Sequence, residues 1–320
     1  MQIYQPRFSH IYLERGAEKY PPTARVLDKY KSSTVIQIND YKEVFNRKWQ
    51  DFASQKRSQK LILAVKRGNY LHPLPEACDN SFTESEGSNY YAAQIMNCAF
   101  DCEYCYLRGM YESANVVAFV NTGDFQKAVP RGKNIFLSVS YESDMLAFEE
   151  IFRFAESWID FARAIPSVTL EIRTKSASIN SILKLKPAPN VILSWSVSPD
   201  KIITEYEKNT PPLKSRLEAA RSAAEAGWRV RLCADPILLI GDWQSGLISM
   251  FDTVRGAVDI NKIEIITGGF RVSKVHFKRM RKLDPTSALF KMPLTERNGV
   301  MRYPQEIENE INSFVKGLTE

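Results

Sequence analysis

The chain has 320 residues, 44% apolar and 25% charged, with five cysteines and a formal net charge of +6, an ordinary make-up for a globular protein of one large or two average domains. No run approaches the roughly 18 consecutive apolar residues of a membrane span, and the opening "MQIYQPRFSHIYLERG" lacks the basic-then-apolar layout of a secretory signal. The expected location is therefore the cytoplasm, where cysteines remain thiols available to metals.

In chain order, the first 65 residues read as a helical and strand-containing segment whose clearest amphipathic helix is "DYKEVFNRKWQDFASQKRSQ". Strand candidates follow at 61–66, 90–96, 134–140, 168–175, 191–198, 228–236 and 262–270. Between them the pattern predicts helices at about 144–164, 176–186, 211–226 and 242–258. The third opens with Pro211-Pro212 and closes at Gly227, matching the asymmetry of helix ends. Strands alternating with helices predict a parallel sheet, and the six from residue 90 onward fall two short of an eight-fold barrel. The fold expected is α/β, a partial parallel (β/α)6 barrel over 90–270. It carries an N-terminal α/β extension over 1–89 and a basic C-terminal segment over 271–320 with a turn and a final helix. Within that segment "RVSKVHFKRMRK" has six Lys or Arg and no acid, either a solvated helix face or a phosphate-binding surface.

Alternation shows where polarity is aimed. Glu171, Arg173 and Lys175 share one face of their strand; Ser194, Ser196 and Ser198 share one face of the next. Arg231, Cys233 and Asp235 do so in a third. Internal salt bridges would account for one such strand, whereas three in succession favour a ligand-filled interior.

Three thiols crowd into "CAFDCEYC", spaced C-x3-C-x2-C on a loop after the strand at 90–96. In a parallel barrel that is the face where active sites assemble. Cys98, Cys102 and Cys105 can each bind one iron of a [4Fe–4S] cluster, leaving the fourth iron open to a small molecule. A structural zinc site completed by Cys78 or His72 is the competing arrangement, and chance clustering the third.

The C-x3-C-x-aromatic-C pattern resembles the signature of radical S-adenosylmethionine enzymes. The resemblance implies that the open iron chelates the cofactor's methionine moiety. An electron from the cluster then releases a 5′-deoxyadenosyl radical that abstracts hydrogen from a substrate. "IYLERGAEKYPPTARVLDKY", "INDYKEVFNRKWQDFASQKRSQKLILAVKRGNYLHP" and "YESDMLAFEE" carry the resemblance further, to the spore photoproduct lyase family, over most of the chain. That family reverses a thymine crosslink in DNA. The implied cofactor contacts are Tyr104, Ser143, Asp144, Lys175, Ser196 and Asp235, the last where relatives have alanine. Tyr104 and Tyr106 are implied in hydrogen return, and Arg302 and Tyr303 in gripping the lesion. The implied partners are DNA bearing a pyrimidine lesion and an electron donor such as ferredoxin or flavodoxin.

One departure stands out. The family's hydrogen-donor cysteine lies three residues before the aspartate of the "SD" pair, and Tyr141 occupies that place here. Tyr141 itself, the Tyr104/Tyr106 pair or Cys233 would then donate. Otherwise the substrate is a different one, such as RNA, a peptide or a metabolite. From another class, a zinc-containing nucleic-acid-binding protein would also explain the basic run.

Overall fold

The structure is a computed structural model that describes residues 6–75 and 88–319. Two sheets organise it. The larger has seven strands, six of them parallel and laid side by side in chain order: Ser88–Tyr91, Ile135–Ser138, Val168–Thr174, Val191–Ser196, Arg229–Ile237 and Glu264–Gly269. His72–Pro73 adds an antiparallel edge. The smaller sheet sets Thr34–Ile38, His10–Glu14, Leu61–Ala64 and Val116–Phe119 in parallel, with Ile95–Met96 antiparallel at its edge. Leu61–Ala64 and Val116–Phe119 are apolar and buried at every position, the signature of parallel strands covered on both faces. Among the described residues no helix is long and apolar enough to cross a membrane.

The segment 90–96, expected as one strand, is divided between the sheets. Ser88–Tyr91 joins the larger and Ile95–Met96 the smaller. Two backbone bonds fix the crossing: Ala92 N donates to Ser138 O at 2.9 Å, and Phe119 N donates to Gln94 O at 2.9 Å. The buried Gln94 side chain holds the junction by accepting from Trp158 Nε1 at 2.6 Å.

Two helices expected to be continuous are interrupted. Over 144–164 a 3-10 turn, Leu146–Phe148, leads into Glu149–Phe152; Phe154–Arg163 follows after Arg153 at φ 55°. The Glu149 carboxylate accepts from Ala155 N at 2.8 Å and Glu156 N at 2.9 Å, serving donors that the break leaves exposed. Over 42–57, Lys42–Phe45 and Phe52–Arg57 are separated by Trp49 at φ 62°, and Asp51 caps the second by accepting from Ser54 N at 2.9 Å. Only the turn Ile182–Lys184 forms over 176–186. There Thr174 and Ser176 hydroxyls accept from the backbone N–H two residues on, competing with helix formation. Leu213–Glu225 and Trp243–Ala257 match expectation, and Asp200–Tyr206 is an additional helix.

Beyond the last parallel strand, Arg271–Ser273 pairs with a hairpin, Thr295–Arg297 and Val300–Arg302, whose turn residues Asn298 and Gly299 both have positive φ, as a two-residue hairpin demands. The basic run becomes the helix Lys274–Leu283, and Gln305–Thr319 closes the chain.

The inward polar faces form two layers. Deep in the larger sheet the interior is closed by ion pairs: Arg231 meets Glu171 at 3.2 Å and Glu264 at 2.6 Å, and Ser194 Oγ donates to Glu171 at 2.8 Å. Nearer the carboxyl ends the strands part around a cavity of about 380 Å³.

Candidate active site

The three cysteines stand on one wall of that cavity. Their loop is held from both ends. Asn97 turns the chain at φ 64° while its amide donates to Ser113 O and Asn115 O, both at 2.8 Å. Asp101–Cys102 pairs with Glu207–Lys208, and Arg108 meets Asp101 at 2.8 Å. The carbonyl of Cys98 accepts from Lys56 Nζ at 2.5 Å and Gln59 at 3.1 Å, so its thiol side is left to the cavity. None of the three is in a disulfide.

Burial pushes all three thiols up, Cys98 to about 12, against which Lys175 pulls Cys102 and Cys105 down. Thiols so buried ionise readily only against a cation, which iron supplies. Soft thiolate donors fanned over one wall suit a cluster in which each binds its own iron. Among the described residues no three His, Cys, Asp or Glu side chains are grouped to hold a single metal ion. Of the two side chains that would complete a zinc site, His72 stacks on Tyr91 with centroids 5.1 Å apart, and Cys78 lies outside the described residues. The residues present therefore fit the iron–sulfur cluster.

Lys175 lines the same cavity from the end of its strand. Its ammonium lies 5.5 Å from the Tyr104 ring and makes no ion pair among the described residues. Burial works against its charge, yet Glu207 and Cys102 hold its pKa above the ordinary lysine value, leaving a half-buried cation suited to a ligand carboxylate. Ser143, Asp144, Ser196 and Asp235 also line the cavity. Asp144 is already engaged with protein. It accepts from Lys175 N at 2.6 Å, Thr174 Oγ1 at 2.7 Å and Ala147 N at 3.0 Å, tying two strand ends together. Ser143 Oγ donates to Asn97 O at 2.8 Å, linking this turn to the cysteine loop.

The tyrosines divide. Tyr104 donates its hydroxyl to Glu207, which is buried with Arg216, Ser198 and Thr210 in a network behind the wall. Burial alone would push Glu207 up, but Lys175 and Arg216 hold it below the usual carboxylate range. Tyr106 and Tyr141 pack together in the cavity with centroids 5.4 Å apart, and Tyr106 donates to the Tyr141 carbonyl at 2.7 Å. Tyr91 also packs against Tyr141, with centroids 4.5 Å apart and the rings tilted.

Asp235, at the alanine position of the resemblance, accepts from Arg271 at 2.7 and 3.2 Å and from Arg173 at 3.3 Å. Gly268 makes room for this pair: a Cβ there would lie 2.8 Å from Asp235 Oδ1 and 2.9 Å from the Arg271 guanidinium. Cys233 is fully buried, two residues deeper, and does not line the cavity. Burial pushes its thiol up to about 12. Arg302 meets Glu308 at 2.8 Å; Tyr303 is buried, its hydroxyl bonded to Leu239 N at 3.0 Å and Ile237 O at 3.2 Å. Neither lines the cavity. The residues that sequence reasoning missed are Tyr91, Arg271 and His276 on the wall, and Glu207 with Arg216 behind it. Only Arg216, a lone cation on an apolar helix face, carried a readable signal.

A family model described as spore photoproduct lyase matches residues 4–282. Similar curated proteins include the spore photoproduct lyase of Bacillus subtilis (strain 168), 22% identical over 258 residues, spanning 78% of this chain and 73% of that one. That of Geobacillus sp. (strain Y412MC61) is 24% identical over 261 residues with the same coverage. Among solved structures, a spore photoproduct lyase double mutant with bound AdoMet and dinucleoside spore photoproduct matches with a TM-score of 0.85 at 18% identity, covering 98% of this chain and 96% of that one.

Proposed function

The chain belongs to the spore photoproduct lyase family of radical S-adenosylmethionine enzymes, and from that premise we propose that it reverses a thymine-dimer-type lesion in DNA. The observation that carries the proposal is that three thiols line one cavity together with Lys175, a half-buried cation with no ion pair among the described residues. In this reading the six parallel strands curl into a partial barrel over 90–270, with 1–89 packed on it and 271–320 closing its mouth.

Cys98, Cys102 and Cys105 would hold the cluster, and with S-adenosylmethionine bound the pair supplies a carbon-centred radical that abstracts hydrogen. The chain's own residues do the rest. Lys175 pairs with the cofactor carboxylate, and Ser143 and Ser196 orient its polar groups. Asp144 keeps the Lys175 backbone in place through its three hydrogen bonds. Tyr104, turned towards Glu207, is a positioning residue, whereas Tyr141 and Tyr106 present phenols to the cavity. Tyr141 is the hydrogen donor we assign, in the place of a thiol. Asp235 binds Arg271 and Arg173, which places charge where a polar ligand edge would meet it. Structures of relatives with bound AdoMet and dinucleoside spore photoproduct support the substrate class.

A second reading keeps the chemistry and changes the target. It is favoured by Tyr141 and by the remoteness of Arg302 and Tyr303 from the cavity. The test is anaerobic reconstitution with iron and sulfide, followed by reduction, ideally by a ferredoxin or flavodoxin, with dinucleoside spore photoproduct present. Formation of 5′-deoxyadenosine and two thymidines is expected. Cofactor cleavage without lesion reversal would move the reading to another substrate, and one zinc without iron would remove the radical chemistry altogether.

A further inference from the structure

The helix Lys274–Leu283 is not used by the chemistry, and its two faces do different things. His276, with Arg271 and Ser273 just before it, lines the cavity, and Met280 is buried. The opposite arc exposes Lys278, Arg279, Arg281 and Lys282 around Val275, which is 60% exposed. None of these four cations makes an ion pair among the described residues. Nearby carboxylates are engaged elsewhere: Glu296 with Lys274, Glu103 with Lys208 at 3.0 Å, and Asp284 with Thr286 at 3.1 Å. Favourable interaction with the helix C-terminus accounts for Arg281 and Lys282 in the last turn, about 0.3–1 kcal/mol each. It does not account for Lys278 and Arg279, a turn earlier.

We propose that this arc is a phosphate-binding surface that holds the backbone of duplex DNA flanking the nucleotide delivered into the cavity. The inference rests on the proposed lesion-reversing activity and adds where the rest of the substrate lies. A nucleotide extruded from a duplex leaves its paired neighbours at the mouth. At 1.5 Å per residue, Lys278 to Lys282 spreads the charge over about 6 Å on the outer side of a helix whose inner side, at His276, lines the cavity. Fixed cations on such a face lower the cost of phosphate approach by releasing counterions.

A second observation ties this surface to the reaction centre. Gly109, four residues after Cys105, meets the helix backbone so closely that a Cβ would lie 2.3 Å from His276 O. Arg279 also donates to Gly109 O at 3.4 Å. A duplex seated on the helix therefore rests on the element that backs the cysteine loop.

The test compares wild type with K278Q/R281Q/K282Q, exposed positions outside the cavity, with circular dichroism as the folding control. Binding of an undamaged 20-base-pair duplex is measured as a function of salt, and turnover of dinucleoside spore photoproduct, which has no flanking duplex, in parallel. The expected result is a salt slope smaller by about 2–3 and duplex affinity lower by on the order of a hundredfold near 0.1 M salt, with dinucleoside turnover unchanged. An unchanged slope would overturn the proposal, as would parallel loss of dinucleoside turnover. Equal competition by polyglutamate would overturn it in favour of an acidic protein partner. Duplex binding needs no turnover, so failure of the activity and failure of this surface are separate results.

Discussion

Substituting Gly109 by alanine tests the contact between the cysteine loop and the basic helix, because two effects predict opposite signs. Gly109 lies in the short helix Leu107–Met110 and is not among the positive-φ glycines. Backbone entropy alone therefore favours alanine, by up to about 1 kcal/mol. The added Cβ, however, would sit 2.3 Å from the His276 carbonyl oxygen and 2.7 Å from its carbonyl carbon and Cα. All three are backbone atoms, so no rotamer change relieves the overlap and one helix must shift. Overpacking of this kind costs about 1–3 kcal/mol. The net expectation is a loss of about 1–2 kcal/mol, read as a fall of several degrees in the melting temperature of the cluster-free protein. Weaker cofactor binding should accompany it, because the displaced helix follows Cys105 directly and His276 lines the cavity. A melting temperature that rises would refute the close approach, since only the entropic gain would then remain.

Replacing Tyr141 with cysteine should raise the yield of repaired thymidine per cofactor cleaved, measured by product chromatography; no gain would argue for a different substrate. Arg216→Met should destabilise the fold by about 3–5 kcal/mol in a denaturant titration, because it strands the fully buried Glu207. In wild type the stability from Glu207, whose folded pKa is depressed, is present above the unfolded carboxylate value and lost as pH falls through the folded one. Glu149 has the opposite sign: burial raises it to about 7 despite the hydrogen bonds from Glu156 and Ala155, so its stability is present below its ordinary value and lost as pH rises to about 7. Glu149→Gln should therefore gain on wild type by up to about 3 kcal/mol between pH 5 and 8, and a constant difference would contradict the assignment.

The positions of six parallel strands were legible because each is a short apolar or alternating run bounded by turn residues, and local pattern is enough to mark such runs. The smaller sheet was not. Its strand Val116–Phe119 is separated from its partner Leu61–Ala64 by more than fifty residues of chain, and no local signal announces that pairing. Nor does periodicity report the division of 90–96 between two sheets, which depends on Gln94 meeting Trp158. At the site, the thiol spacing placed three cysteines on one loop. The roles of Tyr104 and Tyr303 could not be read, because a tyrosine's ring follows hydrophobic pattern while its hydroxyl follows tertiary partners. Glu207 claims one hydroxyl, and Leu239 with Ile237 claims the other.

The same distinction bears on the missing donor thiol. Tyr141 is held by its backbone as much as by its ring: the carbonyl accepts from Tyr106, a bond that survives any side chain at 141. The ring packs against both Tyr91 and Tyr106, contacts that a thiol would not make. Cys233 sits behind Asp235, and Asp235 is clamped by Arg271 and Arg173, so a radical in the cavity would meet a phenol before it met that sulfur. On the proposed assignment, the hydrogen returned to the substrate comes from a phenol packed against two further rings.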